Sequence, residues 1–228
     1  MASRIEDYAV IGNTCTIGLV AVDGSIDWLC MPRLDSPACF AALLGDENNG
    51  HWRIAPDCPT IARRRRYRAD TLLLETEFKT SAGTVAITDF MPIRERLRQA
   101  DVVRVVRGVS GQVPMRMEIR FRFDYGQVVP WVTSRGPTLS AIAGPDALKL
   151  SSPVKMGGEG FSTVSNFVVS AGQTIPFTLT YYPSHEHQPA RTDPLESLAG
   201  TEAWWRQWSS RYRERSPWRE AVVRSLER

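Results

Sequence analysis

The chain has 228 residues, room for one large β domain or two small ones. Its 43% hydrophobic and 23% charged content is that of an ordinary globular protein, which excludes a disordered or fibrous chain. A net charge of only +3 gives no strong field to recruit nucleic acid, and no run of about 18 apolar residues is present to span a membrane.

Four cysteines, Cys15, Cys30, Cys39 and Cys58, form no C-x-x-C pair and no metal-ligand spacing. They read as free thiols of a reducing compartment. The first residues run directly into Tyr8-Ala9-Val10-Ile11-Gly12 without the pattern of a signal peptide. A cytoplasmic protein is therefore expected.

The stretch 18–45 contains the densest local signals. Leu19–Val22 and Ser25–Leu29 are apolar-rich runs separated by Asp23-Gly24, a hairpin signal in which both turn residues are expected at positive φ. Met31 to Pro37 follows, with prolines at 32 and 37 bracketing an irregular polar loop that cannot continue a ladder. Ser36 is placed to cap a short helix over 36–44, with Pro37 at its first position and Gly45 past its end. Residues 51–55 and 61–67 read as strands around a turn containing Pro56 and Pro59. The run Arg63–Arg66 is followed by Glu75 and Glu77 and reads as a charged, exposed strand edge.

Alternation with period 2 dominates residues 71–123. Leu72, Leu74, Thr76 and Phe78 share one face, and Val85, Ile87 and Asp89 follow after a turn at Ala82-Gly83. Val102–Val109 and Met115–Phe123 are expected to pair across Ser110-Gly111. In the latter run, Met115, Met117, Ile119, Phe121 and Phe123 face a core, while Arg116, Glu118, Arg120 and Arg122 face water. Residues 124–160 are irregular, with weak strands at 138–142 and 147–151. Phe161–Ser170 and Thr174–Tyr182 close the series around Ala171-Gly172. A dozen or more strands without intervening helices predict a mainly β fold, a large antiparallel β-sandwich.

The character changes at Pro183. A polar connector leads to Asp193-Pro194-Leu195-Glu196, which has capping-box form, and a helix is expected to run to about Tyr212. Leu198, Thr201, Trp205, Trp208 and Tyr212 form its stripe, expected to pack on the sandwich or on a following domain. A second helix from Ser216-Pro217 places Trp218, Val222 and Leu226 on one face with nothing left in the chain to cover it. Such a face favours a homo-oligomer or a frayed end. The domain reading is a sandwich at 1–190, a linker helix at 191–215 and the start of a helical barrel at 216–228.

The segment from Ile5 to Pro56, with its core D-G-S-I-D-W-L-C-x-P-R-x-D-S-P-x-x-F-A-x-L-L-G, resembles the N-terminal domain of bacterial glycoside hydrolase family 15 proteins, the glucoamylase- and trehalase-like enzymes. The likeness continues through Tyr67–Phe78, Ile87–Pro92 and Thr201–Tyr212, so it covers essentially the whole chain. It implies a β-sandwich followed by a catalytic (α/α)6 barrel that holds the catalytic carboxylates beyond residue 228. It also implies hydrolysis, with inversion, of an α-glucan, an isomalto-oligosaccharide or trehalose. A complete, stand-alone carbohydrate-binding or scaffold module is the alternative.

Inverting hydrolysis needs two carboxyl groups roughly 6.5–9.5 Å apart around a water. Asp27, Asp35, Asp46 and Glu47 are the local carboxylates, and no pair among them is marked by spacing, so no catalytic residue is assigned. Trp28, Arg33 and Asp35 are the candidate substrate-binding residues: an indole to stack on a pyranose, and a charged pair to engage hydroxyls. The competing account puts Trp28 in the core and pairs Arg33 with Asp35 on a loop that only docks. His185-Glu186-His187 has no third ligand nearby and reads as a solvated connector. No cofactor, phosphate cradle or metal site is expected.

Overall fold

The computed structural model describes residues 3–93, 99–190, 192–212 and 217–226. Fifteen strands form a continuous hydrogen-bonded network folded into two layers. The first layer holds β1 (Ala9–Gly12), β2 (Ile17–Val20), β3 (Ser25–Cys30), β4 (Ala38–Phe40) and β5 (His51–Pro56). The second begins with β6 (Thr60–Tyr67), β7 (Leu74–Thr80) and β8 (Gly83–Phe90). Strand β9 (Ala100–Arg120) belongs to both. The second layer is completed by β10 (Trp131–Arg135), β11 (Thr138–Ala143), β12 (Asp146–Ser151) and β15 (Thr174–Pro183), and the first by β13 (Gly157–Glu159) and β14 (Ser162–Ser170). All pairings are antiparallel. The mainly β, antiparallel class expected from the alternation is thus present.

The expected hairpin across Ser110-Gly111 is absent. Residues 100–120 form one strand of 21 residues. Its N-terminal half pairs with β8 and β15, and its C-terminal half with β5 and β14. Gly111, at φ 68°, marks the crossing, and a Cβ there would lie 2.1 Å from the Ala82 carbonyl oxygen. The glycine serves a close approach of two backbones, a role that a turn signal imitates.

The core lies between the layers. Ile26, Trp52 and Ile54 from the first meet Val85, Ile87 and Leu179 from the second, and the rings of Phe167 and Phe177 face across the gap at 5.6 Å. Met115, Met117, Ile119, Phe121 and Phe123 all point into it. Arg104 also enters this interior, fully buried in the Val102–Val106 run. Its Nε donates to Asp89 Oδ1 at 2.8 Å, Nη1 to the Trp52 carbonyl at 2.7 Å and Nη2 to the Gly24 carbonyl at 2.7 Å. One guanidinium therefore ties β8 and β9 to the β2–β3 turn and β5.

Helix α1 (Pro194–Ser209) starts where its cap predicts, with Asp193 Oδ1 accepting from the backbone N–H of Leu195 and Glu196. It ends three residues before Tyr212 and lies on the outer face of the second layer. There Trp205 is buried among Leu72, Leu73, Phe90, Val103 and Val105. This second core explains why Leu72, Leu73 and Leu74 are all buried despite the alternation read for that run. Arg68 clamps the helix through Glu202 at 2.6 Å. Helix α2 (Arg219–Leu226) departs from expectation: among its described side chains Val223 is buried and Val222 only partly so, Trp218 is 73% exposed, and Arg219 pairs with Asp70 at 2.9 Å. Val223 lines a cleft with Trp208 and Tyr212, so α2 is partly covered by α1. The Leu226 side chain lies outside the described residues, as do 213–216 and residue 191, the positions of the two expected domain boundaries.

Candidate functional site

The candidate loop connects β3 to β4, which pair through Leu29 with Phe40 and Cys30 with Ala38. The expected helix over 36–44 is not formed. Pro37 leads directly into β4, and only Ala42–Leu44 makes a single 3-10 turn. Ser36 acts locally instead: its Oγ accepts from the Arg33 N–H at 3.2 Å, and its own N–H donates to the Arg33 carbonyl at 3.1 Å. The Leu34 N–H donates to the Cys15 carbonyl at 2.9 Å, which ties the loop to the β1–β2 connection. The Met31-Pro32 peptide is cis.

The turn before β3 is one residue longer than the expected two-residue form: the Ala21 N–H donates to the Ser25 carbonyl at 2.7 Å and encloses residues 22–24. Of Asp23 and Gly24 only Gly24 takes positive φ, 87°, and the Gly24 N–H closes a turn onto the Ala21 carbonyl. A side chain at 24 would meet the Ile54 carbonyl oxygen at 2.4 Å. Asp23 accepts from the Ser25 N–H and pairs with Arg53 at 3.1 Å.

Arg33 and Asp35 face one another at the loop tip. Nε and Nη2 of Arg33 donate to the two Asp35 oxygens, each at 2.8 Å, in a bidentate fork exposed to solvent. The fork raises the Arg33 pKa and holds the Asp35 carboxyl below its usual range. With Cys15 and Leu34 the pair lines an open depression. Arg33 Nη1 keeps no hydrogen-bond partner among the described residues.

Trp28 is not among the residues that line this depression. Half-buried, it packs on Cys30, Ala38 and Ala41, and its ring lies 6.0 Å from that of Tyr125. Tyr125 and Asp124 both occupy the left-handed region, at φ 57° and 49°, uncommon for residues with side chains. Asn49 Nδ2, donating to the Tyr125 carbonyl, helps to hold this turn. No local sequence pattern links Trp28 to Tyr125, since the two lie nearly a hundred positions apart.

Two other carboxylates near this region, buried Asp27 and exposed Asp46, serve the fold. Asp27 accepts from Tyr8 Oη at 2.7 Å and from Ser25 Oγ at 2.5 Å, while Asp46 caps a 3-10 turn by accepting from the Asn48 N–H. No group of three or more metal-ligating side chains is found among the described residues. Nor is any described helix long and apolar enough to cross a membrane.

Residues 1–202 match the family model described as "Trehalase-like, N-terminal". The chain is 30% identical over 250 aligned positions to a trehalase of Mycobacterium tuberculosis, which covers 97% of this chain and 36% of that protein. It is 29% identical to a trehalase of Mycolicibacterium smegmatis, over 90% of this chain and 34% of the relative. It thus spans about a third of the length of these relatives. Among solved structures, a bacterial glucoamylase complexed with acarbose superposes with a TM-score of 0.60 at 10% identity, covering 92% of this chain and 38% of that one. That likeness concerns the fold. On the match to 202 of its residues, the chain belongs to the trehalase-like N-terminal family.

Proposed function

We propose that this domain is the non-catalytic N-terminal part of an inverting glycoside hydrolase that cleaves α-glucosidic bonds. In this reading it packs on a catalytic (α/α)6 barrel and shapes the rim of the active site with the 31–37 loop. Its substrate would be trehalose, an α-glucan or an isomalto-oligosaccharide. The observation that carries the reading is the family match over residues 1–202, made by a chain that spans about a third of its relatives' length. For the loop, the bidentate Arg33–Asp35 fork is the pairing the competing account expects; the rim role rests on its exposure, its tether to the Cys15 carbonyl and the guanidinium Nη1 left without a partner among the described residues. Trp28 would contribute through its packing with Tyr125, as a platform beside the loop.

The chain alone should release no glucose from trehalose, maltose or isomaltose. In a polypeptide that carries this domain before a helical barrel, Arg33→Ala should lower kcat/KM by about tenfold or more, one charge-assisted hydrogen bond. The melting temperature of the isolated domain should hardly move. Glucose release by the isolated chain that is abolished by Asp27→Asn or Asp35→Asn would overturn the non-catalytic assignment. Unfolding of the domain by Arg33→Ala, with activity per folded molecule retained, would overturn the rim assignment.

A further inference from the structure

The two most deeply buried arginines are treated differently by the fold. Arg104 has Asp89 and two backbone carbonyls. Arg122, only 7% exposed, has the carbonyl of its own neighbour Phe121 at 2.7 Å and no carboxylate within ion-pair distance among the described residues. Nearby Arg120 is a like charge, and its own partners, the Ser162 hydroxyl and the Asn48 amide oxygen, bring no negative charge to the pair. Burial first, and Arg120 second, pull the Arg122 pKa below its ordinary value. A desolvated cation without a counter-charge is costly, and an anion entering beside it would relieve that cost.

Arg122 lines a cleft of about 360 Å³ between the Val129–Ser134 segment and the turn joining β13 to β14. The Phe161 ring lies over the guanidinium at 5.8 Å, yet Phe161 remains 75% exposed, so its other face is open. Ser134, Ser162 and Thr163 also line it, the Ser162 hydroxyl already accepting from Arg120 Nε at 3.0 Å. The volume is near the lower end of small-molecule sites, about 300–1,000 Å³, and suits a single ring. A buried cation and an open aromatic face in one small cleft form a combination for one class of ligand. We propose that this cleft binds an anionic monosaccharide, whose phosphate or carboxylate pairs with Arg122 and whose ring lies on Phe161. The inference concerns a surface distinct from the 31–37 loop and stands whether or not that loop meets substrate.

Titration calorimetry of the chain at fixed ionic strength tests it, with glucose 6-phosphate, glucuronate, glucose and inorganic phosphate as probes. Saturable binding is expected for glucose 6-phosphate or glucuronate, and which of the two is tighter identifies the anion. Glucose and inorganic phosphate should each bind at least tenfold more weakly. Arg122→Met, with an unchanged circular dichroism spectrum, should weaken the anionic sugar by tenfold or more, while Phe161→Ala should weaken it without altering stability. In the wild-type chain, amide resonances of residues 158–163 should shift with the same midpoint. Should Arg122→Met fail to fold, Phe161→Ala and the amide shifts still decide the matter. The proposal fails if neither anionic sugar binds, if glucose binds equally well, or if binding survives in both variants. Non-saturable binding that inorganic phosphate matches would mark an adventitious ion only and overturn it as well.

Discussion

Single side chains carry much of what makes this sandwich one object. Arg104 places a charge where valines surround it, and its four recorded donor contacts satisfy groups from both layers. Removing it by Arg104→Met leaves Asp89 buried and unpaired, a loss of about 3–5 kcal/mol in urea unfolding. Arg104→Met combined with Asp89→Leu should cost less than the two changes added separately, because the stranded charge is then gone. A single-variant loss below about 1 kcal/mol would show that the pair contributes little. Two tyrosines contribute to the alkaline limit, together with the Cys30 and Cys39 thiols, which burial also raises. Tyr8 donates to Asp27 and Tyr181 donates to Asp146 at 2.6 Å, and burial, reinforced by those carboxylates, raises both phenols well above their usual pKa. The folded state therefore keeps protons that the unfolded chain releases near pH 10. The associated stability is complete below that pH and is lost as pH rises toward the folded values. Urea midpoints should fall between about pH 8 and about pH 11, and fall less steeply in the Tyr8→Phe, Tyr181→Phe double variant. That variant should start lower at pH 8, by about 1 kcal/mol for each lost hydrogen bond.

At the scale of elements, β9 determines the topology, and glycine makes its course feasible. Gly111→Ala combines a left-handed φ with a backbone clash, so a loss of about 2 kcal/mol or more is expected from denaturation midpoints. Gly136→Ala, also at positive φ but with open space around it, should cost less. This contrast shows what was legible in the sequence and what was not. The period-2 pattern located β7, β8, β14 and β15 to within a few residues, since alternation reports burial directly. Ser110-Gly111 misled because a glycine at a backbone crossing and a glycine in a turn look alike in one dimension. The helix expected from Ser36-Pro37 failed for a related reason: local capping chemistry was outweighed by the ladder between β3 and β4. The cap of α1 was readable, because Asp193 and Pro194 act within one turn. The burial of Val223 was not, because it depends on how the end of α1 meets α2.

For the whole molecule, the resemblance carried by residues 5–56 agrees with the family match over 1–202. Of the candidate site, sequence placed Arg33 and Asp35 on one loop and the structure joins them into a fork. Trp28 could not be positioned relative to them, since its neighbour Tyr125 comes from a distant turn. Arg122 looked like any outward residue of an alternating strand, and only the surrounding loops make it interior.

Because β9 supplies a central strand to both layers, neither layer keeps its hydrogen-bond ladder if the other melts. The sandwich should therefore lack an independently folding half, despite its two layers. Native-state hydrogen exchange should find the slowest amides along 102–106 and 115–119, opening with one common free energy equal to that of global unfolding. Two well-separated exchange classes, divided at Gly111, would mean that the strand is a hinge between separate cooperative units.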